Sequence, residues 1–230
     1  MKRIGDQGDM ESGSPKDIAD IAESMIQKGQ RTEPEKLLIK FVSEMPPDWK
    51  PVTISTTSID IAYWSIMEFM SYAPHYDQGG SKKTINWVYN SYSKAFYLLA
   101  FIYVEREDWP KAILYIDQAF KLEPDHPLIL CEKAIICSYT GRLQEAYDLY
   151  IKAADIRPLM PFQQRARALR GAATVLIDME RLDEAEDLLK KSLEVEPENK
   201  NALHELVYIE ELRRGCRQRQ SQVVFQKKLL

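Results

Sequence analysis

Three times in this chain an amphipathic stretch closes on the same punctuation: Leu122-Glu-Pro124, Ile156-Arg-Pro158 and Val195-Glu-Pro197. A recurring unit restricts the fold more than composition does, because each copy buries its apolar face only against its neighbours. Counting back 31 residues from each proline sets frames that open at Ser93, Pro127 and Ala166. Early in each frame, apolar or small residues recur at i, i+3, i+4 and i+7, the spacing of one helix face. The first frame has Phe96, Leu99, Ala100 and Tyr103, and the third has Leu169, Ala172, Ala173 and Leu176. The second has Leu130, Ala134 and Cys137, with Lys133 interrupting.

A second helix follows in every frame. Its small residues are Ala112 and Ala119, then Ala146 and Ala153, then Ala185 and Ser192, with Ile116, Tyr150 and Leu189 between them. Small side chains at fixed places let two backbones approach, and the larger residue fills the gap that remains. Gly141 stands where a left-handed residue ends a helix, and Pro110 suits a first helical turn. These residues closely resemble the tetratricopeptide repeat, a 34-residue antiparallel helix pair with small residues at places eight, twenty and twenty-seven and proline at thirty-two. The resemblance covers Ser93 to Pro197 and extends to a terminal helix from Asn199 to about Leu212. It implies an all-α fold, a right-handed α-solenoid of antiparallel helix pairs. Its repeats are 93–126, 127–160 and 166–199, within an array spanning 93–212. The first two prolines lie 34 apart and the next interval is 39, so Leu159 to Arg165 is expected to form a longer loop.

The N-terminal part is less regular. Residues 1–14 read as a polar, disordered tail and 15–92 as a helical extension, with 15–48 as a degenerate repeat. In the latter, Ile18, Ile21, Ala22 and Met25 make one helical face, Gly29 a break, and Leu38 and Phe41 a second face. Pro34 occupies a small-residue place but suits a helix start. The prolines from Pro46 to Pro51 make an extended linker. Ile59, Tyr63, Ile66, Met67 and Met70 predict a helix over Ser58 to Tyr72. The stripe Ile85, Val88, Tyr89, Tyr92, Phe96, Leu99 and Tyr103 predicts one long helix from Lys82 to about Arg106.

No catalytic arrangement emerges, and neither an enzyme nor a cofactor is expected. His75, His126 and His204 share no metal-ligand spacing, and Cys131 and Cys137 lack zinc partners. Gly79 to Lys83 lacks both the spacing and the preceding strand of a phosphate loop. Asp183 and Glu184 read as a solvated helix start. Cys131 and Cys137 stand roughly 240° apart on a helix, which forbids a bridge between them. With Cys216 the count is odd, which favours a reducing compartment. Residues 1–15 lack an apolar segment and no window reaches 18 apolar residues, so a cytoplasmic protein is expected. The net charge of −4 is too mild to demand nucleic acid.

The resemblance implies that the first helix of each pair lines a concave groove that holds a protein or peptide partner. The groove residues are then Lys94, Tyr97 and Phe101; Leu128, Cys131 and Ile135; Arg167, Arg170 and Thr174; and Asn201, His204 and Tyr208. An apolar anchor beside a basic pair suits a peptide with some acidic residues, unless the N-terminal helices cover Tyr97, Phe101 and Ile135. Members that clamp a terminal carboxylate carry lysine and asparagine, then asparagine, then lysine and arginine on successive first helices. Here those places hold Tyr97 and Phe101, Glu132, then Arg167 and Gly171, so that specificity is not expected. Residues 178–211 hold twelve acids against four bases, and 213–230 six bases and no acid. Such a tail either touches nucleic acid or another acidic surface, or continues the helix and caps the array with Val223, Val224 and Phe225. A secretion chaperone or peptide-sensing regulator is a further alternative, by analogy of architecture alone.

Overall fold

The structure is a computed structural model and describes residues 17–66, 68–70, 83–88, 91–155 and 162–215. Its N-terminal hairpin is α1 (Ile18–Gln27) and α2 (Thr32–Ser43). Three pairs follow: α3 (Tyr92–Glu105) with α4 (Trp109–Leu122), α5 (Pro127–Tyr139) with α6 (Leu143–Asp155), and α7 (Phe162–Asp178) with α8 (Leu182–Leu193). Helix α9 (Lys200–Arg213) comes last. Each helix packs on its hairpin partner, and α1, α3, α5, α7 and α9 also touch in succession, forming one row of first helices.

The small residues explain this stacking. Ala100, Ala112 and Ala119 are fully buried, as are Ala134, Ala146 and Ala153, and Ala173, Ala185 and Ser192. Ile116, Tyr150 and Leu189 are buried between them. Three adjoining apolar clusters run along the array, so the core is a strip shared between neighbours.

One turn closes four hairpins. Gly29, Glu107, Gly141 and Glu180 all have positive φ, between 59° and 81°. In each case the next residue donates its N–H to the carbonyl five residues back: Gln30 to Met25, Asp108 to Tyr103, Arg142 to Cys137 and Arg181 to Leu176. This bond satisfies a carbonyl at the helix end, and glycine takes the left-handed conformation without the strain that a side chain brings. At the start of α1, Asp17 caps the helix through Oδ1, which accepts from Ala19 N–H at 2.8 Å. Its Oδ2 accepts from Ser91 N–H at 2.9 Å, which ties α1 to the beginning of α3.

The segment between α2 and α3 departs from the sequence expectation. Of the helix expected over Ser58 to Tyr72, residues 66 and 68–70 are helical, but before them the chain forms β1 (Val52–Ile54) and β2 (Ser58–Ile61), paired antiparallel with Val52 opposite Ile61. Instead of one helix from Lys82, it forms β3 (Thr84–Trp87), parallel to β2, and α3 starts only at Tyr92. Ile59, Ile61 and Tyr63 alternate onto one face, where Val52, Phe69, Ile85 and Trp87 join them. This period of two competes with the helical stripe drawn through the same residues, and cross-strand pairing decides in its favour. Ser91 fixes the start of α3, its side chain accepting from Lys94 N–H.

The extra length before the third repeat is also partly helical, because α7 begins at Phe162 and not after Arg165. Pro34 lies in the first turn of α2, as a proline at a helix start should. Among the described residues no helix is long and apolar enough to cross a membrane. The Gly79 to Lys82 stretch, His75, Met67, Cys216 and the tail beyond Gly215 lie outside the described residues.

Candidate partner-binding face

The row of first helices places the expected groove residues in sequence, but their environments differ sharply. At the N-terminal end Lys94 is 5% exposed. Its ammonium lies 2.6 Å from Asp20 Oδ1 and 2.8 Å from Glu23 Oε2, both on α1, and donates to the Trp64 carbonyl at 3.1 Å. Burial alone would weaken this charge, but the two carboxylates hold the lysine above its usual range. Lys94 is thus an internal anchor between α1 and α3, not a free cation. Beside it, Trp64 approaches the Tyr97 ring at 5.2 Å and stacks on His126 at 3.7 Å. The indole N–H donates to Glu123 Oε2 at 2.9 Å. This cover comes from the segment after β2, which lies in the N-terminal extension named from the sequence, but Trp64 itself is not in a helix.

The middle of the row is different. Phe101 and Ile135 are half-buried, Cys131 is buried and Arg167 is exposed. Between them lies Glu132, 2% exposed, whose Oε1 has no hydrogen-bond partner among the described residues. Burial pushes its carboxyl up to about 7, against the pull of Arg167 and with added repulsion from Glu105. Burial likewise raises the Cys131 thiol to about 12. The hydroxyls of Tyr97 and Tyr150 are raised first by burial, then by charges that include Glu132. For Arg167 the sign is reversed: desolvation opposes its charge, but Tyr97, Cys131, Glu132 and Tyr150 outweigh it and keep the guanidinium firmly protonated. Five titratable groups from α3, α5, α6 and α7 therefore sense one another on this stretch.

Further along, Arg170 pairs with Glu196, so of the basic pair drawn from the sequence Arg167 alone has no ion pair among the described residues. Thr174 is buried and returns its hydroxyl to the Arg170 carbonyl at 3.1 Å. On α9, His204 is exposed and Tyr208 is buried. Arg213, first of the basic tail residues, lies between Asp183 and Glu186 of α8 and Glu210 of α9.

Gly171 has a packing role. A methyl at this position would fall 2.5 Å from Cζ and 2.8 Å from Cδ1 of Tyr150, so only glycine lets α7 close on α6. Among the described residues no group of three or more His, Cys, Asp or Glu side chains could hold a metal ion. Cys131 and Cys137 are free thiols.

A family model described as tetratricopeptide repeat matches residues 125–197. Residues 125–197 are tetratricopeptide repeats. No curated protein matches the sequence, but solved structures share the fold. The type IV pilus biogenesis factor PilW aligns over 85% of this chain and 68% of its own, at 17% identity and a TM-score of 0.60. PilF of Pseudomonas aeruginosa aligns over 86% of this chain and 68% of its own, at 14% identity and 0.59. YrrB, described as a tetratricopeptide-repeat protein with an unusual peptide-binding site, aligns over 81% and 71%, at 15% and 0.52. These alignments reach well beyond the family match, so the helical-pair fold extends over most of the chain.

Sequence reasoning missed Asp20, Glu23 and Trp64 as neighbours of the face. It met Glu132 only as a mismatch to a carboxylate clamp. For Asp20 and Glu23 a signal existed: with Gly29 as the turn residue, they take the same frame places as residues on α3 and α5. Trp64 carried none, because only the β-insert delivers it.

Proposed function

We propose that this protein is a non-enzymatic adaptor that holds a peptide segment of a protein partner against the row α3, α5 and α7. The observation that carries this reading is the contrast along the row. Lys94 and Arg170 are neutralised from within, while Phe101, Ile135 and Arg167 between them keep solvent access and Arg167 has no ion-pair partner among the described residues. Apolar surface beside an unspent guanidinium is the chemistry of an anchored, charge-steered peptide contact. The peptide-binding site named for YrrB supports the reading by analogy of fold. In it, 15–48 serves as a degenerate first repeat that extends the row through Asp20 and Glu23. A reducing, cytoplasmic setting suits the two buried free thiols.

The test is affinity purification with the tagged full chain, comparing wild type with a Phe101→Asp, Arg167→Glu double variant. Loss of the recovered partners with unchanged helical circular dichroism is the expected result. Recovery of the same partners by both proteins would remove the face from consideration.

A further inference from the structure

Glu132 is an anomaly that the adaptor reading leaves unexplained. A carboxyl 2% exposed, with one oxygen lacking a partner among the described residues, is rare in a folded protein and costs desolvation energy without return. Several other charges along the row are matched. Lys94 has Asp20 and Glu23, Arg31 has Glu105, and Arg170 has Glu196. Glu205 on α9 also has a buried oxygen without a partner, but it lies beside another acid, whereas Glu132 on α5 lies beside a cation, Arg167 on α7, that has no ion pair among the described residues. Glu132 and Arg167 feel each other's charge, yet no ion pair joins them among the described residues.

We infer that Glu132 and Arg167 together read a basic–acidic residue pair in the bound segment, with an ammonium or guanidinium donating to Glu132 and a neighbouring carboxylate accepting from Arg167. The inference rests on the peptide-binding reading above and gives it a chemistry. A cation alone would satisfy Glu132 but meet repulsion from Arg167. A carboxylate alone would satisfy Arg167 but meet Glu132. A segment carrying both, in the right order, supplies each buried or rim charge with its opposite, which is how charge complementarity yields specificity. The groups facing Glu132 are Tyr97 and Glu105 of α3, Cys131 of α5, Tyr150 of α6 and Arg167 of α7. Only Arg167 among them is a cation, so a basic group of a bound segment would add the positive charge that holds Glu132 ionised.

The test uses fluorescence anisotropy with labelled twelve-residue peptides in a fixed leucine–alanine frame. They carry Lys-Glu, Glu-Lys, Lys-Gln, Gln-Glu or Gln-Gln at each central position. Wild type should bind one charge order at least about tenfold tighter than Gln-Gln, and tighter than either single-charge peptide. Glu132→Gln should cancel the advantage of the lysine alone, and Arg167→Gln that of the glutamate alone. Urea midpoints confirm that both variants are folded. If all five peptides bind equally and Phe101→Asp abolishes that binding, the charge assignment fails while the peptide site stands. Binding of none of them sinks both, and unchanged preference in the two variants sinks the assignment by itself.

Discussion

The indole of Trp64 lies parallel to the imidazole of His126, with ring centres 3.7 Å apart and 18° between planes. Trp64 follows β2 within the β-insert and His126 precedes α5, so this stack joins the insert to the helical array. Glu123 accepts from the indole N–H, and Lys94 donates to the Trp64 carbonyl. Replacing Trp64 with alanine removes a 6%-exposed aromatic and should cost about 3–5 kcal/mol. Urea unfolding measures the loss, and limited proteolysis should cut the insert first.

Gly171 and Tyr150 make a second close relationship, between α7 and α6. Gly171→Ala should destabilise by about 1–3 kcal/mol, because the added methyl overlaps the buried phenol ring. Adding Tyr150→Val clears the ring, so the double variant should lose less than the two single changes combined. Additive losses in thermal unfolding would show that the contact is not the cause.

Glu107 and Glu180 adopt the left-handed turn that Gly29 and Gly141 adopt at no steric cost. Glycine at either position should stabilise by up to about 1 kcal/mol, the strain relieved minus the added entropy of the unfolded chain. A rise in urea midpoint checks this, and a fall would show that the glutamate side chain outweighs its backbone strain.

The carboxyls of Glu132 and Glu205 are both pushed up to about 7, Glu132 chiefly by burial and Glu205 by burial plus the nearby Asp178. A raised carboxyl binds its proton more tightly in the folded state than in the unfolded one. Stability is therefore highest below pH 4.5, the ordinary value, as far as these groups are concerned, and falls as pH rises to about 7. Glu132→Gln should remove on the order of 2–3 kcal/mol of that fall. Urea midpoints at pH 5 and pH 8 should lie closer together in the variant than in wild type.

Lys94→Met leaves Asp20 and Glu23 without their shared cation, 45% and 40% exposed. Since the two acids keep water, the loss should be about 1–3 kcal/mol, below that of stranding fully buried charges. Added salt should recover part of it by screening their repulsion.

The sequence by itself determined the repeating part. Ala100, Ala112 and Ala119 and their counterparts occupy fixed places because a backbone contact tolerates only small side chains, and that constraint is local to each helix pair. The turn at Gly141 was legible for the same reason. Only the tertiary structure decided the segment from Val52 to Trp87, where Ile59, Tyr63 and Ile85 suit a helical stripe as well as a strand. Pairing between β1, β2 and β3 resolves that ambiguity, and no single segment contains it. The face on α3, α5 and α7 divides likewise. Frame position placed Tyr97, Phe101 and Arg167 in line. That Lys94 and Arg170 would be neutralised, Tyr97 covered by Trp64 and Glu132 left unmatched depends on side chains from distant parts of the chain. Those charges acquire their meaning only when the helices stack, because desolvation and pairing are properties of the packed row.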